Sequence, residues 1–468
     1  MGQELIKTLE TLVKTLEAGT YAGTPPERLV QGSALGIENL ETVMQNVTFD
    51  DSHIKLQKMF SVKKAKSLLV QFNRQLSYGR FGGSAQREGA VGDLDVGDYL
   101  RATVPMCFYS TLKRVTVAAD MVETFDGKKG TDREAENAAI KLAADVEFDS
   151  FKWKSDFSNG GVFDGNPSAI AELPNILGID PQVRMSDIMA STQDLMFAAY
   201  GSSQSVVLNQ SGALDQNIIE DSALRSRLNF GKAELLLVDP VILSGYNKKV
   251  LNYGNNTIQR IVLAGSAQDA SGADLRRQWV SSGTVSLEDS MFLRGKYTPL
   301  RPNIGSPVAP SITSGGRSPG SSALPALGTA IYLVTAENER GESTAAQVTV
   351  TGILAGDEVD IAVTHPGGAT HFNVYRGSSA DKSKFIGRVK NAGAGATFVD
   401  LGNKAPGFVT GYLVQKDCWG LHELAPYSRL KLAISDLSTP EAHFRFLTLA
   451  GYQPRKNVII DNLTHDRF

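Results

Sequence analysis

Cysteine is scarce, with only Cys107 and Cys418 in 468 residues. No disulfide framework can hold this fold, and a reducing compartment is the natural setting. Tryptophan is also scarce, at three residues, which argues against an aromatic-lined sugar-binding cleft. Neither sign of charge dominates: 47 Lys and Arg face 50 Asp and Glu, a formal net charge of -3. That argues against a protein whose main work is neutralising nucleic-acid phosphates, which needs a clustered basic surface, although local basic patches stay open. No apolar run approaches a membrane span, and the N-terminus lacks the basic-then-apolar pattern of a secretory signal. The expectation is a soluble, intracellularly made chain of roughly two to four domains.

Motifs of chemistry are missing too. The six histidines include no pair at zinc spacing and no His-Glu-x-x-His. There is no phosphate loop, no Gly-x-Ser-x-Gly elbow and no dinucleotide fingerprint. Cys107 lies among strand residues without a basic neighbour in sequence, which suits a buried apolar role better than a nucleophile. "FDGKKGTDRE" (125–134) could hold an anion before a helix but reads better as a turn. "DLDVGD" (93–98) resembles part of a calcium loop but lacks the later bidentate Glu. Carboxylate-based sites leave almost no single-chain signature, yet nothing argues for one. The expectation is no enzyme, no cofactor and no metal site.

What is present is a succession of distinct segments. Residues 3–18 place Leu5, Ile6, Leu9, Leu12, Val13 and Leu16 on one helical face before Gly19. With the extended, proline-containing loop after it, this reads as an arm. "SLLVQFNRQLSY" (67–78) and "DYLRATVPMCFYSTLKRVTVAADMV" (98–122) are strand-like, and the polar stretch between them carries six glycines from Gly79 to Gly97. Two long strands around a flexible tip describe a projecting hairpin, which is marginal alone and is expected to lie on another copy. A long helix with a small-residue stripe follows, Ala135, Ala139, Leu142, Ala143 and Val146, opened by a Thr131-x-x-Glu134 capping-box pattern. A second helix is expected from Ser186 to Gly201, and "AELLLVDPVILSGYNKKVLNYG" reads as a strand, Pro240 near a helix start, then a Gly stop.

Composition breaks at 301–328, rich in Pro, Gly and Ser without period. Beyond it, "AIYLVTAENERGESTAAQVTVTG" from Ala330 reads as two alternating strands around a Gly-containing turn. It resembles the late strands of a fibronectin type III or other immunoglobulin-like module. "HFNVYRG" resembles the central strand of such a module but follows that pair, so the order looks permuted. From about Gly411 the mixed style returns, and the module reads as an insertion.

The whole succession resembles the major capsid proteins of tailed bacteriophages, the Hong-Kong-97-type fold, over about residues 30–300 and 411–468. It is carried by "KAKSLLVQFNRQLSYG", "RVTVAADMV", "AAIKLAADVEFDSFKW" and "LAPYSRLKLAISDLSTPEAHFRFLTLAGYQPRKNVIIDNL". Some capsid proteins of large myoviruses carry an immunoglobulin-like insertion at this place. The resemblance implies an α+β capsid fold: an N-terminal arm (1–50), an extended-loop hairpin region (51–125), a spine helix of a peripheral domain (126–160), a peripheral and axial core (161–304), the inserted sandwich (305–410) and a return to the core (411–468). It also implies hexamers and pentamers in an icosahedral head enclosing double-stranded DNA, assembled in the bacterial host cytoplasm, with portal, scaffold or cement proteins as partners and no membrane. Intersubunit contacts are expected from Arg74, Arg80, Arg87, Glu88, Asp93, Asp95, Asp98 and Arg101 on the hairpin. The alternatives are a tail-sheath or baseplate protein and, less well matched, a carbohydrate-active enzyme with an accessory module.

Overall fold

The structure is a computed structural model. It describes residues 51–464 apart from 76–77, 80–84, 93, 95, 98, 122–128, 152–175, 194–204, 254–275, 294–305, 339–340, 365–366, 392, 394 and 434–436. The arm (1–50), Arg80, Asp93, Asp95 and Asp98 therefore lie outside the described residues.

The described elements begin with helix α1 (Leu56–Met59) and strands β1 (Ser61–Lys64), β2 (Leu69–Gln75), β3 (Tyr99–Pro105) and β4 (Cys107–Thr116). Helices α2 (Val117–Met121), α3 (Gly130–Phe151) and α4 (Ile179–Gln193) follow. Next come β5 (Val207–Gly212), α5 (Gln216–Leu228), β6 (Leu235–Val238), α6 (Pro240–Tyr253), β7 (Arg277–Val280) and β8 (Gly283–Asp289). A run of strands occupies the next stretch: β9 (Ser311–Ser318), β10 (Gly328–Asn338), β11 (Gly341–Glu342), β12 (Ala346–Ile353), β13 (Glu358–Thr364), β14 (His371–Gly377), β15 (Lys384–Lys390) and β16 (Gly395–Asp400). The chain closes with β17 (Val409–Val414), β18 (Trp419–Lys431), β19 (Ser438–Gly451) and β20 (Val458–Leu463). The fold is mixed α and β.

One sheet has the order β1-β18-β19-β4, with α3 across one face. Alternation along β4 selects that face: Tyr109, Thr111, Lys113 and Val115 are half-buried, while Phe108, Ser110, Leu112 and Arg114 are exposed. Tyr109 donates to Asp149 on α3 at 2.9 Å, and Lys113 pairs with Glu134 at 2.8 Å. At the far end of α3 the buried Glu147 carboxylate accepts the backbone N–H groups of Lys55, Leu56 and Gln57. It thereby caps α1 from a distant helix. Gly178 is required where α4 approaches α3, because a β-carbon there would lie 2.4 Å from the Ser150 carbonyl oxygen.

The second sheet has the order β5-β20-β17-β6-β8-β7. Its strand β6, Leu-Leu-Leu-Val, is wholly buried, as a strand covered on both faces must be. Pro240 begins α6 and the Asp239 carboxylate accepts the Val241 N–H at 2.7 Å, so the expected strand-to-helix step is present. One hydrophobic cluster joins both sheets, running from Leu56 and Val146 through Leu236 and Leu237 to Trp419 and Ile460.

Residues 311–400 form two further sheets, β11-β10-β14-β15 with β12 on β10, and β16-β13-β9. They enclose a separate cluster that includes Tyr332, Val334, Val359, Ile361, Phe372 and Val374. The two alternating strands from Ala330 pair antiparallel as β10 and β12, and Asn338 Oδ1 accepts the Gly341 N–H in the turn. Gly341 has φ 146°, the left-handed region that favours glycine.

Three local expectations need correction. The strand expected over 98–122 breaks at the buried Met106, whose N–H bonds Leu68 O, so β3 stays with the hairpin while β4 enters the sheet under α3. Thr131 is not a cap: α3 begins at Gly130, and Asp120 Oδ1 accepts both the Thr131 N–H and its hydroxyl. Glu134 is held by Lys113, so no capping box closes. Ser186 lies inside α4 and donates to Val183 O rather than starting a helix, because burial of Ile179, Val183 and Met185 extends the helix upstream.

Candidate intersubunit surface

Among the described residues β2 and β3 pair only with each other, from Leu69 opposite Pro105 to Gln75 opposite Tyr99. The sequence suggested a ribbon resting on another copy, but its root rests on its own chain. Val70, Met106 and Ala65 form a small cluster with Phe72, Leu424 and Phe446 packed on it. Further along, Phe72 meets Tyr452 edge-on at 5.2 Å between ring centroids.

Between Gln75 and Tyr99 several of the described apolar residues are exposed. Val91 is 92%, Leu94 96% and Val96 72% exposed. Arg87 and Glu88 are exposed and have no ion-pair partner among the described residues. Arg101 donates across the ribbon to Asn73 Oδ1 at 3.4 Å. Arg74 turns inward, donating to the Gly451 carbonyl at 2.7 Å, while its Nε has no partner among the described residues. Burial pushes its guanidinium down to about 10. The structure thus separates the expected contact residues into an inward root, Arg74, and an outward tip, Arg87 and Glu88.

Sequence inspection missed the ladder that anchors the root. Lys63 Nζ lies 4.5 Å from the centroid of the Tyr452 ring, Tyr452 meets Phe72, and the Arg74 guanidinium lies 5.3 Å from the Phe72 centroid. His422 Nε2 is 2.8 Å from the Tyr452 hydroxyl, and burial followed by Lys63 lowers its pKa. A signal was available: residues 52–87 contain eight Lys and Arg and no Asp or Glu, whereas 88–98 contain Glu88, Asp93, Asp95 and Asp98 and no Lys or Arg.

A second polar centre joins residues 400–408 to the core. Arg184 bonds Asp180 at 2.7 Å and Asp461 at 3.1 Å, and Lys404 pairs with Asp461. Tyr412 donates to Asp180 at 3.0 Å, and Thr410 donates to Asp461 at 3.2 Å. Burial alone would raise the Asp461 carboxyl, but Arg184 and Lys404 hold it below the usual range. Beside it, Asn462 Oδ1 accepts the Ala405 N–H and its amide donates to Asn403 O. Two carboxylates and two cations close this network, which ties the exit of the 311–400 sheets to α4, β17 and β20.

Chemistry beyond packing is sparse. Among the described residues no cluster of His, Cys, Asp and Glu could hold a metal, and no described helix is long and apolar enough to cross a membrane. Cys107 and Cys418 are both buried, and burial pushes the Cys418 thiol up to about 11.

No protein-family model matches the chain, and no curated protein does either. Among solved structures, the chain is similar to the holo-SrpI encapsulin complex from Synechococcus elongatus, at 8% identity and a TM-score of 0.43 over 96% of this chain and 98% of that one. It is also similar to the capsid of a native GTA particle, at 9% identity and a TM-score of 0.44 over 93% and 98%. The capsid of the cyanophage P-SCSP1u gives 10% identity and a TM-score of 0.44 over 94% of each chain. At such TM-scores these likenesses are too loose to fix a fold family.

Proposed function

We propose that this chain is the major capsid protein of a tailed bacteriophage, assembling as hexamers and pentamers into an icosahedral head around double-stranded DNA. The observation that carries the reading is the bare ribbon tip. Between the paired strands β2 and β3, outside the well-filled core, Val91, Leu94 and Val96 are 92%, 96% and 72% exposed. Scattered apolar exposure is ordinary, but three such residues on one narrow projection are a surface that association would cover. In this reading the β1-β18-β19-β4 sheet with α3 is the peripheral domain, the six-stranded sheet is the axial domain, and residues 305–410 are an immunoglobulin-like decoration. The chain catalyses nothing. It works in the virion with portal, scaffold or cement proteins and touches DNA without sequence preference.

Electron microscopy of the purified protein tests this. Closed shells are the expected result. Tubes would favour a tail component, and a monomer at every concentration would overturn the reading.

A further inference from the structure

His443 on β19 is wholly buried, with β18 and β4 as its neighbouring strands and α3 across the face it points to. The hydroxyl of Tyr427 on β18 donates to the Ala135 carbonyl of α3 at 3.0 Å and lies 2.8 Å from His443 Nδ1. A hydroxyl has one proton to give, so the carbonyl takes it and His443 Nδ1–H donates to the hydroxyl oxygen. The ring is then neutral with its lone pair on Nε2, and Nε2 has no hydrogen-bond partner among the described residues. Glu441 Oε2 is 3.9 Å from Nε2, beyond hydrogen-bond distance, and both Glu441 oxygens already accept from Arg429. The surrounding charges are paired off in the same way. Arg429 also bonds Asp132 of α3 at 3.2 Å, Lys113 of β4 pairs with Glu134 of α3 at 2.8 Å, and Arg445 of β19 takes Glu423. The first turns of α3 are thus tied to the sheet at Asp132, Glu134 and Ala135, through groups that surround one imidazole.

We propose that His443 is a proton-sensitive latch: neutral, it lets the sheet hold the first turns of α3, and protonated, it releases them. A proton on Nε2 puts a cation in a site closed to solvent, with no acceptor at bonding distance. To accept the new N–H, Glu441 must turn from Arg429, and Arg429 then loses the fixing that aims it at Asp132. Otherwise the Tyr427–Ala135 contact must open to admit water. Either course cuts a tie to α3. The far end of the helix has separate fixings, Tyr109 on Asp149 and the Glu147 carboxylate on the N–H groups of Leu56 and Gln57, so the release is confined to about residues 130–138. Burial is the largest influence on the ring and lowers its pKa, with Glu441 and Glu134 opposing and Arg429 and Lys113 assisting. A lowered folded value means that the latch is closed above the unfolded value, about 6.5, and opens as pH falls through the folded one. The inference concerns one subunit and stands apart from the shell-forming reading.

The test is amide hydrogen exchange of the full-length chain at pH 7.5 and pH 5, with protection taken relative to the intrinsic exchange rate at each pH. In the wild type, protection of residues 130–138 is expected to fall about tenfold at pH 5, within the limit of about thirtyfold that an ordinary histidine in the opened state allows. Residues 145–151 should change less than about threefold, and His422, which sits beside Tyr452 rather than α3, contributes nothing to this segment. His443→Asn keeps an N–H for the Tyr427 hydroxyl and does not titrate, so its protection of 130–138 should change less than about threefold between the two pH values. Equal wild-type protection at both pH values would overturn the latch. The same loss in His443→Asn would also overturn it, by assigning the effect to the carboxylates. A second measurement needs no variant: the His443 ring, followed by NMR in histidine-labelled wild type, should titrate below about 6.5, and a value at or above that would overturn the proposal.

Discussion

Leu237 on β6 and Tyr412 on β17 sit opposite each other in the six-stranded sheet, although every residue of the 311–400 sheets lies between them in the chain. The core is therefore built from both flanks of that stretch, and the stretch has its own buried cluster. Its exit is not a free tether, since Asn403, Lys404 and Ala405 are bonded to Asp461 and Asn462. A deletion that respects this should run from residue 306 to residue 401 and keep Asn403–Phe408, joined by a short Gly-Ser link. It is expected to stay folded and to assemble. A deletion that also removes Lys404 and Ala405 should be the less stable of the two in thermal unfolding. Equal stability of the two would show that the exit contacts add nothing.

Asp461 and Glu147 are buried carboxylates whose pH behaviour should run in opposite directions. Asp461 is held below its ordinary range by Arg184 and Lys404 against the cost of burial. Its contribution is therefore present above the unfolded value, about 3.9, and lost as pH falls through the lower folded value. Asp461→Asn leaves Lys404 without its partner and should cost about 3 kcal/mol near neutral pH. The gap from wild type should close as pH falls through that lowered folded value. Urea denaturation across that range measures it, and a pH-independent gap would contradict the assignment.

Glu147 is raised, chiefly by burial, while its three backbone N–H donors pull the other way. A raised folded value means that its contribution is fullest below the unfolded value, about 4.3, and declines as pH rises through the folded one. Glu147→Ala strands the N–H groups of Lys55, Leu56 and Gln57 and should cost about 2–4 kcal/mol. Its gap from wild type should narrow as pH rises, the reverse of the Asp461 series.

Local order was legible where a single residue dictates backbone geometry. Pro240 after Leu235–Val238 marked a strand and a helix start, and Asn338 to Gly341 marked a turn. The capping box failed because the same Thr and Glu had better partners from elsewhere, Asp120 and Lys113. The break at Met106 was invisible, because a buried Met between two strand-like runs looks like continuation until the partners are known. Pairing across long separations, such as β17 between β6 and β20, follows from burial of whole strands and leaves no local pattern. At the candidate surface the glycines and charges between Gly79 and Asp98 could be read in the sequence. The root could not, since Lys63, Phe72, Arg74 and Tyr452 meet only through the fold.

The last expectation concerns covalent joining. Some members of the fold this chain resembles link the extended loop to a neighbour by a lysine–asparagine isopeptide bond. Here no lysine occurs between Lys66 and Lys113, so the ribbon and its tip lack the amine that such a bond needs. Arg74, Arg87 and Arg101 stand there instead, and guanidinium groups stay protonated and do not act as that nucleophile. Lys66 is exposed at the root, but the sequence returning from the tip offers carboxylates rather than an asparagine, with Glu88, Asp93, Asp95 and Asp98 and no Asn from 76 to 98. Disulfides are excluded as a second route, because Cys107 and Cys418 are both buried in the core. Exposed ion pairs contribute only about 0–1 kcal/mol each, so in the proposed shell cohesion would rest on apolar burial and on repetition over many subunits. Particles boiled in detergent and reductant should run as a single band near 50.3 kDa. A ladder of multimers would show a covalent link that these residues do not supply.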